Sequence, residues 1–376
     1  MKPFAPNFKF IDTSVNPDVQ RDKLAPDLSI YHKDDQPEGN AKTDFSKMDL
    51  FVKFKAAESS DPFCDPVGDV RRRKFCFEKD SDGARLVRGQ LASYAAALAG
   101  SQFRVHTFSV LVCGKYARFI RWDRDGAIVT ERFNYMQQSH FLARFFWQYN
   151  YLDPRQRGYD TSISSIDPEN TDIRKSYFDS LRTKNPAHLK FCILRVPDRD
   201  EAEDEKHVIV SFPPEYTARS PFGRVTRPML AFDMEKEEIV FLKDYWRADV
   251  DGMEKEGEIY RLLESNGVPN IAPFGKGNDV RDHATVTNAL RKENWACSSK
   301  DMVLLRHYRM TLDIVGRPLT SFRSSREFVG AIADAMEGKT SFVDPTPLTN
   351  SWLPQHMIMP TSMPISFIVT SAWVIS

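Results

Sequence analysis

The chain has 376 residues, and its 52 lysines and arginines are balanced by 52 aspartates and glutamates. That length is sufficient for two domains, and the charge balance excludes a bulk electrostatic field that would recruit nucleic acid or an anionic membrane. Five scattered cysteines argue against a disulfide framework or a zinc site, and no apolar run reaches the roughly 18 residues of a membrane span, so we expect a cytoplasmic or nuclear protein without membrane contact.

The first half of the chain predicts a mixed α/β domain over residues 24–195. Residues 1–23 have few apolar positions, and we expect them to form a flexible lead-in. An aromatic helix is predicted at 140–151, in which we interpret Trp147 and Tyr149 as core residues. The other predicted elements of this domain are strands at 28–31, 49–55 and 189–196, a helix at 87–99, and a β-meander over 103–133 with a hairpin turn at Asp125-Gly126.

Five residues of this domain follow a spacing that resembles the PD-(D/E)XK nucleases: Asp27 after a proline, Lys53 and Lys55 on a strand, and Gln90 and Tyr94 on a helix. Their chemistry needs two carboxylates to hold a divalent metal and a lysine to orient the attacking water. Here Lys53 occupies the position of the second carboxylate, and hard cations prefer several oxygen ligands. The resemblance implies a fold of that kind without its metal; the alternative is that these residues are ordinary strand flanks.

A second domain is predicted over residues 206–337, with the boundary between about 185 and 206. A buried strand ends at Lys243, and a helix with apolar residues at helical spacing begins near Glu258. A strand lysine that faces a helix glutamate is the means by which protein kinases hold the α- and β-phosphates of ATP. The alternative is that the two residues are ordinary solvated surface charges, and the neighbouring segments decide for the pair.

The segments around this pair extend the same pattern. A loop with one glycine, Gly223, precedes the lysine strand, where a phosphate-covering loop requires several glycines. Two strands within 302–312 lead to a turn at Asp313 to Val315, and an apolar stripe predicts a further helix over 324–336.

These segments together resemble the fungal-type protein kinases. The motifs that carry the resemblance are Gly223-Arg224-Val225-Thr226-Arg227, Phe241-Leu242-Lys243-Asp244-Tyr245-Trp246-Arg247, Val268-Pro269-Asn270-Ile271, His307-Tyr308-Arg309 and Val315-Gly316-Arg317-Pro318-Leu319. The resemblance covers the chain from about 24 to 337. It implies an α+β fold, in which a mixed α/β N-terminal domain precedes a kinase-like small lobe built from an antiparallel sheet and one αC-type helix.

The resemblance also implies ATP as the cofactor and assigns the site residues. Lys243 and Glu258 would hold its phosphates, and Gly223 would lie in the covering loop. Leu312 would be the gatekeeper, while Asp313 and Val315 would offer backbone groups to adenine.

The catalytic half of a kinase has no counterpart in this sequence. It contains no His-Arg-Asp loop and no Asp-Phe-Gly motif, and Pro345 to Ser376 holds no charged residue. We therefore expect residues 338–376 to be a disordered tail outside the family, typical of an unspliced intron or a shifted reading frame. Because phosphoryl transfer depends on positioning and metal ions, we expect a truncated pseudokinase with no catalytic residue, no magnesium site and at most weak ATP binding.

Three interpretations of function stay open. The chain is a non-catalytic relative that binds nucleotide weakly or offers a surface to an unknown protein partner. Alternatively, the N-terminal domain is a nuclease-like or nucleic-acid-binding module with the lobe as passenger, although the charge balance makes a nucleic-acid partner unfavoured. Full kinase activity would require a catalytic lobe supplied by another chain.

Overall fold

The structure is a computed structural model that describes residues 2–19, 21–37, 43–67, 75–166, 190–198, 206–212, 220–297, 303–343 and 373–374. These residues fold into two seven-stranded sheets, a two-stranded pair and the helices that pack on them. The predicted mixed α+β class is therefore confirmed. Within the described part of the chain, no helix is both long and apolar enough to cross a membrane.

The first sheet is built from the N-terminal part of the chain. Strands β1 to β6 lie side by side in chain order, and β7 pairs with β5. The pair β3–β4 is parallel, so the chain must cross over between them, and helix α1, Asp82–Ser101, makes that crossover. The strands are β1 Phe8–Asp12, β2 Leu28–His32, β3 Met48–Lys55, β4 Thr107–Cys113, β5 Tyr116–Trp122, β6 Ala127–Val129 and β7 Phe133–Asn134.

Helices cover both faces of this sheet. Side chains alternate along a strand, so in β3 Phe51 faces α1 while Leu50 faces α2, Ser139–Tyr151. Each face has its own buried cluster, with Leu91 and Leu98 of α1 in one of them. The first unit is therefore a three-layer arrangement of helix, sheet and helix.

Two predictions for this unit are wrong. The expected lead-in at 1–23 contributes β1, because Phe8 packs into the cluster beneath α2 and its strand pairs with β2. Trp147 is not a core residue, since 52% of it is exposed, whereas Tyr149 is buried as predicted. The two positions differ by 200° around the helix, so only one of them can face the sheet.

The second sheet is antiparallel throughout and has the order β13-β14-β12-β11-β10-β9-β8. Two of its strands, β8 and β9, fall in the range predicted for the first domain. The sheets therefore divide between Asn134 and Ile163, and not at the predicted 185–206 boundary. The strands are β8 Ile163–Ser165, β9 Lys190–Val196, β10 Lys206–Phe212, β11 Arg227–Asp233, β12 Glu238–Ala248, β13 Phe274–Ala284 and β14 Leu305–Leu312.

Three helices accompany this sheet: α3 Glu256–Ser265, α4 Thr287–Leu290 and α5 Ser325–Val343. Helix α5 continues past residue 337, where the sequence predicted a disordered tail to begin. A short strand β16, Trp373–Val374, pairs with β15, Arg317–Pro318. The remainder of the predicted tail lies outside the described residues, as does the predicted start of a strand at Met302.

Buried hydrogen bonds join the two units. The guanidinium of Arg227 on β11 donates to the carbonyl oxygens of Ala99 at 2.6 Å and Gln102 at 3.1 Å, both at the end of α1. Asp123, which follows β5, accepts hydrogen bonds from the backbone N–H groups of Val286 and Thr287. The second sheet thus lies against the end of α1 and the loop after β5 of the first unit.

Candidate functional site

Lys243 lies on the face of β12 that is covered by α3. Its ammonium Nζ donates to both carboxylate oxygens of Glu256, at 2.6 Å and 2.7 Å. The Tyr245 hydroxyl, two residues along the same face, donates to Glu256 Oε2 at 2.8 Å. The side chains of Lys243 and Glu256 are 16% and 24% exposed, so the pair is largely shielded but accessible from one side. The glutamate thus fixes the position of the ammonium group.

The predicted pairing of Lys243 with Glu258 is wrong. Helix α3 begins at Glu256, and a residue two positions later lies 200° around the helix axis. Glu258 therefore faces away from the sheet, where its carboxylate accepts a hydrogen bond from Arg261 at 2.6 Å. The helix starts earlier than its apolar residues suggest, and its first turn supplies the partner.

Burial and the nearby Glu256 carboxylate raise the pKa of Tyr245 well above its ordinary value. The phenol therefore stays protonated and acts as a donor. Arg224 adds a second cation, because its guanidinium lies 5.0 Å from the centre of the Tyr245 ring and 4.0 Å from Glu256 Oε2. One carboxylate thus meets two cations and a phenol, an arrangement that can attract the negative oxygens of a phosphate.

The loop that contains Gly223 is held by the first unit. Gly223 has a φ of +84°, and its N–H donates to the carbonyl oxygen of Arg124 at 2.7 Å. In return, the Arg124 guanidinium donates to the carbonyl of Pro221 at 3.1 Å, and the Phe222 ring lies 6.0 Å from that of Trp122. The N–H of Gly223, which was predicted to contact phosphate, is thus already hydrogen-bonded to the first unit.

The predicted hinge residues follow the end of β14. Leu312 is buried and lies opposite Phe241 in the pairing with β12. The N–H of Asp313 donates to the carbonyl of Pro273 at 2.9 Å, and its carboxylate pairs with Lys236. Val315 is exposed. An adenine ring at this edge would therefore compete with Pro273 for the Asp313 N–H.

The nuclease-like residues of the first unit do come together. Lys53 Nζ donates to Asp27 Oδ1 at 2.7 Å, and the backbone N–H of Phe54 donates to Asp27 Oδ2 at 2.6 Å. Lys55, on the same face of β3, donates to Gln90 Oε1 on α1 at 3.0 Å. Both oxygens of Asp27 thus have donors, and an ammonium group stands where a metal would need a second carboxylate.

A further group of buried polar side chains, which the sequence analysis missed, lies on the opposite face of β12. His307 Nε2 contacts Asp244 Oδ1 at 2.5 Å, and Arg309 Nε donates to the same oxygen at 2.9 Å. Arg309 also pairs with Asp160, which follows α2. The Nδ1 atoms of His283 and His307 are 3.1 Å apart.

Burial, opposed by the Asp160 carboxylate, lowers the pKa of His283 to about 4, so its imidazole is neutral at pH 7. Asp160, His283 and His307 offer one ligand atom each within 4.8 Å of one another. We refer to these three residues as the buried triad. They come from distant parts of the chain and have no local spacing by which the sequence could reveal them.

Comparison with known proteins identifies the family. A sequence model of the fungal protein kinases matches residues 47–348, which is well over half of the chain. The match continues past residue 337, where the sequence analysis placed the end of the family pattern. No curated protein and no solved structure matches the chain. The chain therefore belongs to the fungal protein kinase family.

Proposed function

We propose that this chain is a nucleotide-binding pseudokinase that holds ATP weakly and does not transfer its phosphate. The observation that carries the proposal is the contact of Lys243 with both carboxylate oxygens of Glu256. Because a lobe without catalysis can act only by binding, we expect it to act through a protein partner.

The order of elements around this pair supports the proposal. Starting from β10, the lysine lies on the third strand, and the helix that supplies the glutamate follows directly. Two more strands come next, and β14 pairs with the lysine strand. A kinase small lobe likewise has its lysine on a third strand and its glutamate on the following helix.

Three features limit the expected affinity for ATP. An ammonium group has three donors, and Glu256 takes two of those of Lys243, which leaves one for a phosphate oxygen. The N–H groups of Gly223 and Asp313 already donate to backbone carbonyls. A nucleotide would have to displace those contacts or rely on side chains such as Arg224.

The absence of catalysis is proposed from the sequence. A kinase needs an aspartate base and ligands for magnesium, and the His-Arg-Asp and Asp-Phe-Gly motifs that supply them do not occur in these 376 residues. When bound, magnesium neutralises the charge that develops on the phosphates. We therefore propose that this chain transfers no phosphoryl group from ATP.

Calorimetric titration with ATP tests nucleotide binding. Lys243→Met should weaken binding roughly ten- to a hundredfold, because a charge-assisted contact contributes about 1.5–3 kcal/mol. Lys255→Met is the matched control, since Lys255 lies nearby but pairs with Asp279 at 3.2 Å. Micromolar binding that survives Lys243→Met, or equal losses in both variants, would contradict the proposal.

Labelled ATP and generic protein substrates test catalysis. We expect no transfer above a blank in the presence of magnesium or manganese. Transfer that disappears in Lys243→Ala would show that the chain is an active kinase, or becomes one with a second chain.

A second candidate function is a nuclease-like role for the first unit. The convergence of Asp27, Lys53, Lys55 and Gln90 favours it. A metal would have to displace the Lys53 ammonium from Asp27, so we expect no metal-dependent cleavage. In a plasmid-nicking assay with magnesium or manganese, activity that is lost in Asp27→Ala but kept in Lys243→Met would establish this function in place of the first.

A further inference from the structure

We propose that the buried triad, Asp160, His283 and His307, is a binding site for a divalent transition-metal ion such as Zn²⁺. The three side chains converge at the junction of the two units. Asp160 belongs to the loop after α2, whereas His283 and His307 lie on the neighbouring strands β13 and β14 of the second sheet.

The distances between the ligand atoms suit a single ion. Ligands about 2.1 Å from a tetrahedral metal lie about 3.4 Å from one another. His307 Nδ1 lies 3.8 Å from Asp160 Oδ2, and His283 Nε2 lies 3.8 Å from Asp160 Oδ1. Both separations are slightly longer than this value, and all three ligand atoms lie within 4.8 Å of one another, so small side-chain shifts would bring them to it.

The surroundings orient the ligands in the manner of a metal site. His307 Nε2 contacts Asp244 Oδ1 at 2.5 Å, so this nitrogen serves as the donor and Nδ1 is the nitrogen that faces the triad. A carboxylate behind a ligating histidine fixes both the tautomer and the ring orientation. Asp160 Oδ1 is held by the N–H and hydroxyl of Ser162, at 2.9 Å and 2.5 Å.

An irregularity in β13 brings His283 to the triad. The pairing of β13 with β14 shifts register between Asp279 and Ala284, and Asp282 has a φ of +61°. Bulges of this kind redirect side chains and are common beside functional sites. Without the shift, His283 would follow the regular alternation of the strand.

The chemistry of the donors favours a zinc-type ion. Two imidazoles and one carboxylate are ligands that Zn²⁺ takes, whereas magnesium and calcium prefer oxygen alone. Arg309 opposes binding, because its guanidinium already pairs with Asp160 Oδ2. An ion must share or displace that contact, so we expect micromolar affinity rather than the tight binding of a structural zinc site.

The test is a titration of the chelator-treated full chain with Zn²⁺ alone, followed by calorimetry. We expect one ion per chain, and His283→Ala should weaken binding at least tenfold. His283 is the ligand to replace because His307 also holds Asp244. The matched control is His140→Ala, since His140 is an exposed histidine on α2 and should leave the affinity unchanged.

X-ray absorption at the zinc edge of the unmodified chain gives a second test that does not depend on how the variants fold. We expect scattering from two imidazoles and from oxygen, without sulfur. Sulfur ligands would place the ion at the cysteines and overturn the proposal. So would the absence of stoichiometric binding, or binding that is equal in the His283→Ala and His140→Ala proteins.

Discussion

Replacing Glu256 by glutamine isolates the ion pair at the proposed nucleotide site. The amide keeps the size of the side chain and an oxygen that can accept the hydrogen bond of Tyr245, but it removes the charge that faces Lys243. Because the pair is largely shielded and bidentate, we expect the free energy of unfolding to fall by about 1.5–3 kcal/mol.

Glu258→Gln provides the comparison within the same helix turn. Both glutamates lie in the first turn of α3, so each loses the same favourable interaction with the helix dipole. Glu258 is 46% exposed and pairs with Arg261 three residues later, a contact that contributes about 0.2–0.5 kcal/mol. The difference between the variants therefore measures the contacts of the Glu256 charge with Lys243 and Arg224 together.

Urea unfolding followed by tryptophan fluorescence is a suitable assay, since Trp246 is buried on β12, the strand that carries Lys243. A chain with two units need not unfold in one step, so the transition of the second sheet must be analysed separately. A double-mutant cycle with Lys243→Met then isolates the pairwise interaction free energy.

The reasoning fails if Glu258→Gln destabilises the second sheet as much as Glu256→Gln does. It also fails if the cycle gives an interaction free energy near zero for Lys243 and Glu256 but a sizeable one for Lys243 and Glu258. The latter result would restore the pairing that the sequence alone predicted.

Four further predictions concern the first unit and the loop that contains Gly223. Burial and the charge of Arg121 lower the pKa of His106 to about 4, so as pH falls from about 6.5 the unfolded chain binds the proton first. The urea concentration at the unfolding midpoint should therefore decline between pH 6.5 and 4. This decline should be smaller in His106→Asn. A Cβ at Gly158 would lie 2.0 Å from the His106 carbonyl oxygen, so Gly158→Ala should prevent folding of the first unit, as circular dichroism would show. A Cβ added at Gly223 would contact no other atom, so Gly223→Ala should lower the free energy of unfolding by only about 1–2 kcal/mol, because of the positive φ. Finally, Trp147→Ala should change the unfolding free energy by no more than about 0.5 kcal/mol, and Tyr149→Ala should lower it by about 3–5 kcal/mol; equal effects would mean that Trp147 is buried in solution.

The lysine strand could be predicted because its pattern is local. An apolar run ends at Lys243, and a periodic helix follows at a short distance. The partner glutamate could not be assigned with the same certainty, since helix ends are the least reliable part of such a prediction. The sequence placed the start of α3 two residues too late, so Glu258 was predicted as the partner in place of Glu256.

Other features depend on contacts between distant segments. Strand β13 contains Gly275, Gly277 and several charged residues, so it lacks the alternation of a half-buried strand. Its polar residues are paired across the sheet, as Asp279 is with Arg247 at 2.7 Å. In the buried triad, Asp160 lies more than a hundred residues before the two histidines, which are 24 residues apart. In each case the tertiary fold, and not the local sequence, satisfies the polar groups.

The position of β8 and β9 in the second sheet determines where the chain can be divided. A cut near residue 200 would leave β9 on the N-terminal fragment without the strand that pairs with it along its whole length, Lys206–Phe212. Both fragments would then present a bare sheet edge with apolar side chains, Leu194 and Val196 on one and Val208 and Val210 on the other. Such edges recruit other strands. Fragments that separate the units should therefore end between Tyr151 and Ile163, because α2 belongs to the first unit. The hydrogen bonds across the junction indicate that neither fragment is autonomous.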